Sequence, residues 1–127
     1  MPLVRISLLK GKPKGFGKLA GGIVYRAMLD TLNVPARDNF QIITEHDPNG
    51  FVYDPAYLDI SRTNDLVIIQ ITLNDGRSVE MKKAFYKAVA DGLHRELGIR
   101  REDVFISLVE VKKENWSFGN GVAQYAG

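Results

Sequence analysis

Proline at position 2 is the residue in this chain best suited to catalysis. If Met1 is removed, Pro2 presents a secondary amine at the head of the strand-like run Leu3-Val4-Arg5-Ile6-Ser7-Leu8-Leu9. An amino-terminal amine starts from a pKa of roughly 7.7–8.0. An apolar pocket and one nearby cation are enough to bring such an amine below neutrality, where it can accept a proton near pH 7. Taken by itself, a proline here equally well just permits processing of Met1.

Other residues extend the list. Arg77 follows Gly76 at the end of a predicted strand, where loops conventionally carry function, although the same position suits a surface arginine. Lys10, Lys12, Lys14 and Lys18 read as a solvated face, with Lys12 the one candidate to meet an anionic ligand. His46 ends a predicted strand beside a loop and is a candidate ligand contact. Asp38 lies just before strand residue Phe40 and suits a turn cap, as does Asp103, its counterpart in the second half. Trp116, the single tryptophan, and Phe118 lie in a glycine-rich tail and suit a pocket wall or a subunit contact. His46 and His94 are far apart and no acidic cluster has ligand spacing, so no metal site is expected.

The elements that must position these groups show when the chain is laid on itself with Leu32 over Leu97. Leu3-Val4-Arg5-Ile6-Ser7-Leu8 then falls on Ile68-Ile69-Gln70-Ile71-Thr72-Leu73, Gly11-Lys12 on Gly76-Arg77, and Asp38, Phe40 and Glu45 on Asp103, Phe105 and Glu110. Between the strands, apolar residues recur at helical spacing: Leu19, Ile23, Val24, Ala27 and Met28, then Met81, Phe85, Ala88, Val89 and Leu93. Each half is thus a βαβ unit, spanning 2–45 and 67–110, joined by a turn-rich linker 46–64 and followed by a tail 112–127. Ser78 and Gly98 suit the two ends of the second helix. The first helix carries Gly15, Gly17, Gly21 and Gly22, each costing up to about 1 kcal/mol against alanine, so tertiary packing must support it. The third strand, Leu66 to Leu73, is almost continuously apolar, as expected of a strand covered on both faces or meeting another subunit.

With 127 residues, 45% of them hydrophobic, the chain suits one domain with a single core. The 17 Lys+Arg against 15 Asp+Glu leave a net charge of +2, which gives no case for nucleic acid or an anionic membrane as partner. The absence of cysteine excludes disulfides, thiolate metal sites and a cysteine nucleophile. No apolar run approaches the roughly 18 residues of a membrane span and no signal segment is evident, so the expected location is the cytoplasm.

Two local strings suggest other functions. Gly15-Phe16-Gly17-Lys18-Leu19-Ala20 fits G-x-G-x-x-A, but Pro13 separates it from the first strand and two βαβ units are too few for a full dinucleotide fold. Lys14-Gly15-Phe16-Gly17 resembles the start of an RNA-recognition signature. That signature belongs on a third strand, and the third strand here has no aromatic on which a base could stack. A non-catalytic, ferredoxin-like ligand- or RNA-binding module stays as the alternative, and it requires antiparallel pairing of strands 2 and 3.

Considered together, Met1-Pro2-Leu3, Val34-Pro35-Ala36-Arg37-Asp38, Gly76-Arg77-Ser78, Phe85-Tyr86-Lys87 and above all Trp116-Ser117-Phe118-Gly119 resemble the tautomerase superfamily, and within it the malonate semialdehyde decarboxylase group. The resemblance runs nearly end to end. It implies a tautomerase-type α/β fold, with a four-stranded sheet carrying two helices on one face and its two βαβ units related by a pseudo-two-fold. It implies a homotrimer, Pro2 as the catalytic amine, Asp38 as the carboxylate that positions or activates water, Arg77 as the binder of substrate carboxylate, and Trp116 with Phe118 as part of an apolar wall. One position departs: Asp75 stands where the decarboxylase pattern has a second arginine, which weakens anion capture and alters the field at Pro2. Lys12 sits where some tautomerases of the superfamily have an arginine and could supply the second cation.

Two reactions suit this constellation. A neutral Pro2 could shift a proton between carbon and oxygen of a 2-oxo acid, which is keto-enol tautomerisation. A protonated Pro2 with Asp38 could hydrate or decarboxylate a 3-oxo acid of the malonate-semialdehyde type, and a neutral amine could reach the same loss of carbon dioxide through an iminium. None requires an added cofactor. The expected function is therefore an amino-terminal-proline enzyme, isomerase or lyase, acting on small oxo-carboxylates.

Overall fold

Strand β1 (Leu3–Leu9) alternates strictly, with Val4, Ile6 and Leu8 buried and the residues between them facing the other way. It leads into helix α1 (Phe16–Thr31) and strand β2 (Phe40–His46), and the second half repeats the pattern as β3 (Val67–Asn74), α2 (Val79–Leu97) and β4 (Val104–Val111). The computed structural model describes residues 2–126; Met1, and with it the expected freeing of the Pro2 amine, lies outside them.

The described residues form one sheet of order β2-β1-β3-β4. β1 pairs parallel with β2, β3 pairs parallel with β4, and the two units meet through antiparallel β1 and β3. This is the pairing of two βαβ units, related by a pseudo-two-fold, that the resemblance implies. β2 is an edge strand beside β1, so the antiparallel pairing of strands 2 and 3 required by the ferredoxin-like alternative does not occur.

Both helices cover one face. Ile23, Val24, Ala27 and Met28 of α1 and Phe85, Val89 and Leu93 of α2 join Val4, Ile6, Leu8, Val67, Ile69, Ile71 and Leu73 in a single core. Leu19, expected in that stripe, is instead 60% exposed, and Ala20 takes the inward position. α2 begins and ends as its sequence predicts: the Ser78 hydroxyl accepts from Met81 N–H, and Gly98 takes the left-handed conformation at φ 69°.

Two glycines of α1, Gly17 and Gly21, have a packing reason that composition does not reveal. A Cβ at Gly17 would stand 2.6 Å from Ile43 Cγ2, and at Gly21 Gln41 reaches in to donate to the helix carbonyl at 2.8 Å. Helix and edge strand therefore approach closely at these two positions. At Gly17 and Gly21 the helix-propensity cost is offset by contact with β2, which gives these two glycines a packing role. The linker holds two short helical turns, Pro48–Gly50 and Tyr57–Asp59, and is tied down where Thr63 N and Oγ1 donate to the fully buried Asp103 carboxylate at 2.7 and 2.6 Å. Among the described residues no helix is long and apolar enough to cross a membrane.

Candidate active site

Strand direction decides which candidate residues share an end of the sheet. Leu3 pairs with Phe40 on one side and Thr72 on the other, so the start of β1, the start of β2 and the end of β3 lie together. Asn74 pairs with Val111, which brings the tail after β4 to the same end. Pro2, Asp38, Arg77, Trp116 and Phe118 are thereby gathered. Pro2 is buried at the head of β1.

Asp38 is delivered by a tight turn between α1 and β2. Arg37 adopts a left-handed conformation at φ 74°, its N–H donates to the Tyr25 hydroxyl at 2.9 Å, and Asp38 N–H donates to Pro35 O at 3.3 Å. A carboxyl oxygen of Asp38, Oδ1, is buried. The residue thus lies in the turn before β2 and presents a shielded oxygen at the Pro2 end.

Arg77 is half-buried and fastened by two carbonyls: Nε donates to Leu32 O at 2.8 Å and Nη1 to Asn74 O at 3.1 Å. Leu32 caps the carboxyl end of α1, so one guanidinium ties helix α1 to the end of β3. It makes no ion pair with a carboxylate among the described residues. Asp75, which replaces the second arginine of the decarboxylase pattern, is exposed, with its N–H on Val111 O at 3.0 Å.

The aromatic tail forms a wall. Trp116 stacks on Phe118 with ring centroids 5.4 Å apart, and Phe118 meets Tyr125 edge-on at 4.8 Å. Trp116 Nε1 donates to Asn74 Oδ1 at 2.8 Å, and Phe118 N–H donates to Gln124 Oε1 at 2.9 Å. With Leu3, Phe40 and Ser117, the two rings line a cavity of about 220 Å³ on the helix-free face of the sheet. Asn74, to which sequence reading attaches no role, is the joint between this wall and Arg77. Nothing local distinguishes it in the sequence, because its indole partner comes from the distant tail.

Lys12 and His46 are not brought to this end. They follow the carboxyl ends of β1 and β2, about 20 Å away along a seven-residue strand at roughly 3.3 Å per residue. Lys12 pairs with Asp65 and lies 5.5 Å from the centre of the Phe16 ring, while His46 stacks on Phe51 at 5.6 Å. Within one chain they cannot share a small ligand with Pro2. A strongly perturbed carboxyl also lies elsewhere: bonds from Lys87 and then Arg101 lower Asp91 on α2 to about 2.

Comparison with known proteins adds to this geometry. The family model described as tautomerase enzyme matches residues 38–119. The chain belongs to the tautomerase family. A curated relative in the family, the probable tautomerase YusQ of Bacillus subtilis (strain 168), is 43% identical over 124 residues, covering 98% of both chains. Among solved structures, FG41 malonate semialdehyde decarboxylase inhibited by 3-bromopropiolate superposes with a TM-score of 0.90 at 35% identity, covering 98% of this chain and 94% of that chain. A second malonate semialdehyde decarboxylase, whose structures were determined to explain decarboxylase and hydratase activities, gives 0.89 at 32% identity over 98% and 95% of the two chains.

Proposed function

We propose that this member of the tautomerase family acts on small oxo-carboxylates, with Pro2 as the proton-transfer group once Met1 is removed. Arg77 binds the substrate carboxylate and Trp116 and Phe118 shield its apolar part. The observation that carries this reading is the Arg77 guanidinium, fastened by two carbonyls and paired with no carboxylate among the described residues, at the same end of the sheet as a small apolar cavity. A planar cation held this way presents its remaining donors to an anion in a fixed direction.

The reaction favoured is keto-enol tautomerisation. Pro2 removes a proton from carbon next to the carbonyl, Arg77 holds the carboxylate and stabilises the enolate oxygen, and the proton returns on the other atom. No cofactor takes part. Asp75, exposed where the decarboxylase pattern has a second arginine, favours this reading over the decarboxylase one.

Asp38 supports a second reading. A carboxylate beside the amine favours protonated Pro2, which could polarise the carbonyl of a 3-oxo acid while Asp38 orients water or the departing carboxylate. That is the chemistry of hydration or decarboxylation.

The working form is a homotrimer in the cytoplasm. Its support is the helix-free face of the sheet, where Phe40, Ile42, Phe105 and Val109 stand exposed on a surface that would be buried against other copies. Sedimentation at micromolar concentration distinguishes a trimer from a monomer.

The deciding test is a nitrogen-15 titration of Pro2 in protein with a free amino terminus, alongside assays with a 2-oxo-acid enol and with malonate semialdehyde. A pKa clearly below 7 with rapid ketonisation supports the tautomerase. A value at or above about 8 with release of carbon dioxide supports the second reading. Pro2→Ala is expected to slow either reaction by about 10²-fold or more; unchanged rates in that variant would sink both.

A further inference from the structure

We infer that Asn74 is a substrate-binding residue of this site, donating from Nδ2 to an oxygen of the bound oxo-carboxylate; the inference rests on the oxo-carboxylate reading above. Sequence alternation puts Asn74 on the helix-free face of β3 with Ile68, Gln70 and Thr72, and Thr72 pairs with Leu3, which lines the cavity. Asn74 thus stands one alternation beyond Thr72, at the end of inner strand β3 next to the start of β1.

The orientation of its amide follows from its partner. An indole N–H can donate but not accept, so the group facing Trp116 Nε1 at 2.8 Å must be the amide oxygen, and the NH₂ group is turned away. The Asn74 backbone carbonyl is already occupied by Arg77 Nη1 at 3.1 Å. Both Nδ2 hydrogens are without a protein partner among the described residues, although the side chain is half-buried. An amide donor pair beside a guanidinium complements a carboxylate or enolate oxygen, and it does so without adding charge near Pro2. Asn74 would thereby fill with neutral donors a role that the decarboxylase pattern gives to a second cation.

The test uses the full chain with a free amino terminus and pyruvate as probe. In a nitrogen-15 spectrum of the unsubstituted protein, pyruvate is expected to shift the Asn74 side-chain NH₂ signals together with Arg77 Nε–H. Asn74→Asp keeps an oxygen for the indole but replaces both donors by a carboxylate oxygen. The Trp116 indole signal should stay in place, while KM for a 2-oxo-acid enol rises about tenfold or more and kcat changes less. An unmoved indole with an unchanged KM overturns the assignment. So does a pyruvate titration in which Arg77 shifts and Asn74 does not, a measurement that needs no variant to fold. If neither signal moves, the oxo-carboxylate reading itself fails and this assignment falls with it.

Discussion

Gly92 of α2 passes so close to Ile23 of α1 that a Cβ on the glycine would stand 2.7 Å from the isoleucine Cγ2. Gly22, one residue before that isoleucine, has nothing within 4 Å of the corresponding position. The two sites therefore respond to alanine with opposite sign. Gly92→Ala sets a propensity gain of up to about 1 kcal/mol against an overpacking cost of about 1–3 kcal/mol, a net loss that lowers Tm by several degrees. Gly22→Ala should raise stability by about 0.5–1 kcal/mol. Thermal unfolding of the two variants checks the pair, and a more stable Gly92→Ala would show that the helices can separate at no cost.

Arg77 joins stability to binding. Arg77→Ala leaves Leu32 O and Asn74 O without their donors and should cost about 1–2 kcal/mol, while raising KM for an oxo-carboxylate about 10- to 100-fold. Arg77→Lys keeps the charge but not the fork, and should fall between the two proteins in both properties. Steady-state kinetics with denaturant unfolding measures this; equal KM for all three would remove Arg77 from the site.

Asp103 and Thr63 lock the linker to the start of β4. Removing the carboxylate in Asp103→Ala strands two donors and should destabilise by about 2–4 kcal/mol. Well below its Tm the variant should keep its rate constants, because this lock lies at the end of the sheet opposite Pro2. A loss of activity without loss of stability would contradict that separation.

Asp91 sets an acid limit. Its folded pKa of about 2 lies below the ordinary carboxyl value near 3.9. The stabilisation it contributes is complete above that ordinary value and is lost as pH falls through 2. Unfolding midpoints should therefore decline between about pH 4 and 2, less steeply in Asp91→Asn. Carbon-13 titration of the carboxyl gives the value directly, and a midpoint near 4 would mean that the pair with Lys87 and Arg101 does not persist.

Much of the architecture was legible because the two halves share their punctuation. Alternation in β1, the helical stripes, Ser78 and Gly98 each report a local preference, and the structure agrees with them. Leu19 was misplaced because a stripe defines a helix face only to within about a residue, and the α1 glycines let that face turn toward β2. In the candidate site, Asp38, Arg77, Trp116 and Phe118 were nameable from strings that resemble a family. Asn74 was not, since its importance consists of one bond to a residue in the tail and another to Arg77.

Sequence by itself determined the order of the elements and most of their apolar faces, because periodicity and turn chemistry are short-range properties. Tertiary structure decided that Pro2 and Arg77 share an end of the sheet while Lys12 and His46 occupy the other. The physical reason is strand direction. β1 and β2 run parallel and β3 runs against them, so a loop after β3 returns to where β1 begins, whereas a loop after β1 lies a full strand length away. Lys12 and Arg77 are equivalent in the repeat, and antiparallel pairing of its two halves sends them to opposite ends.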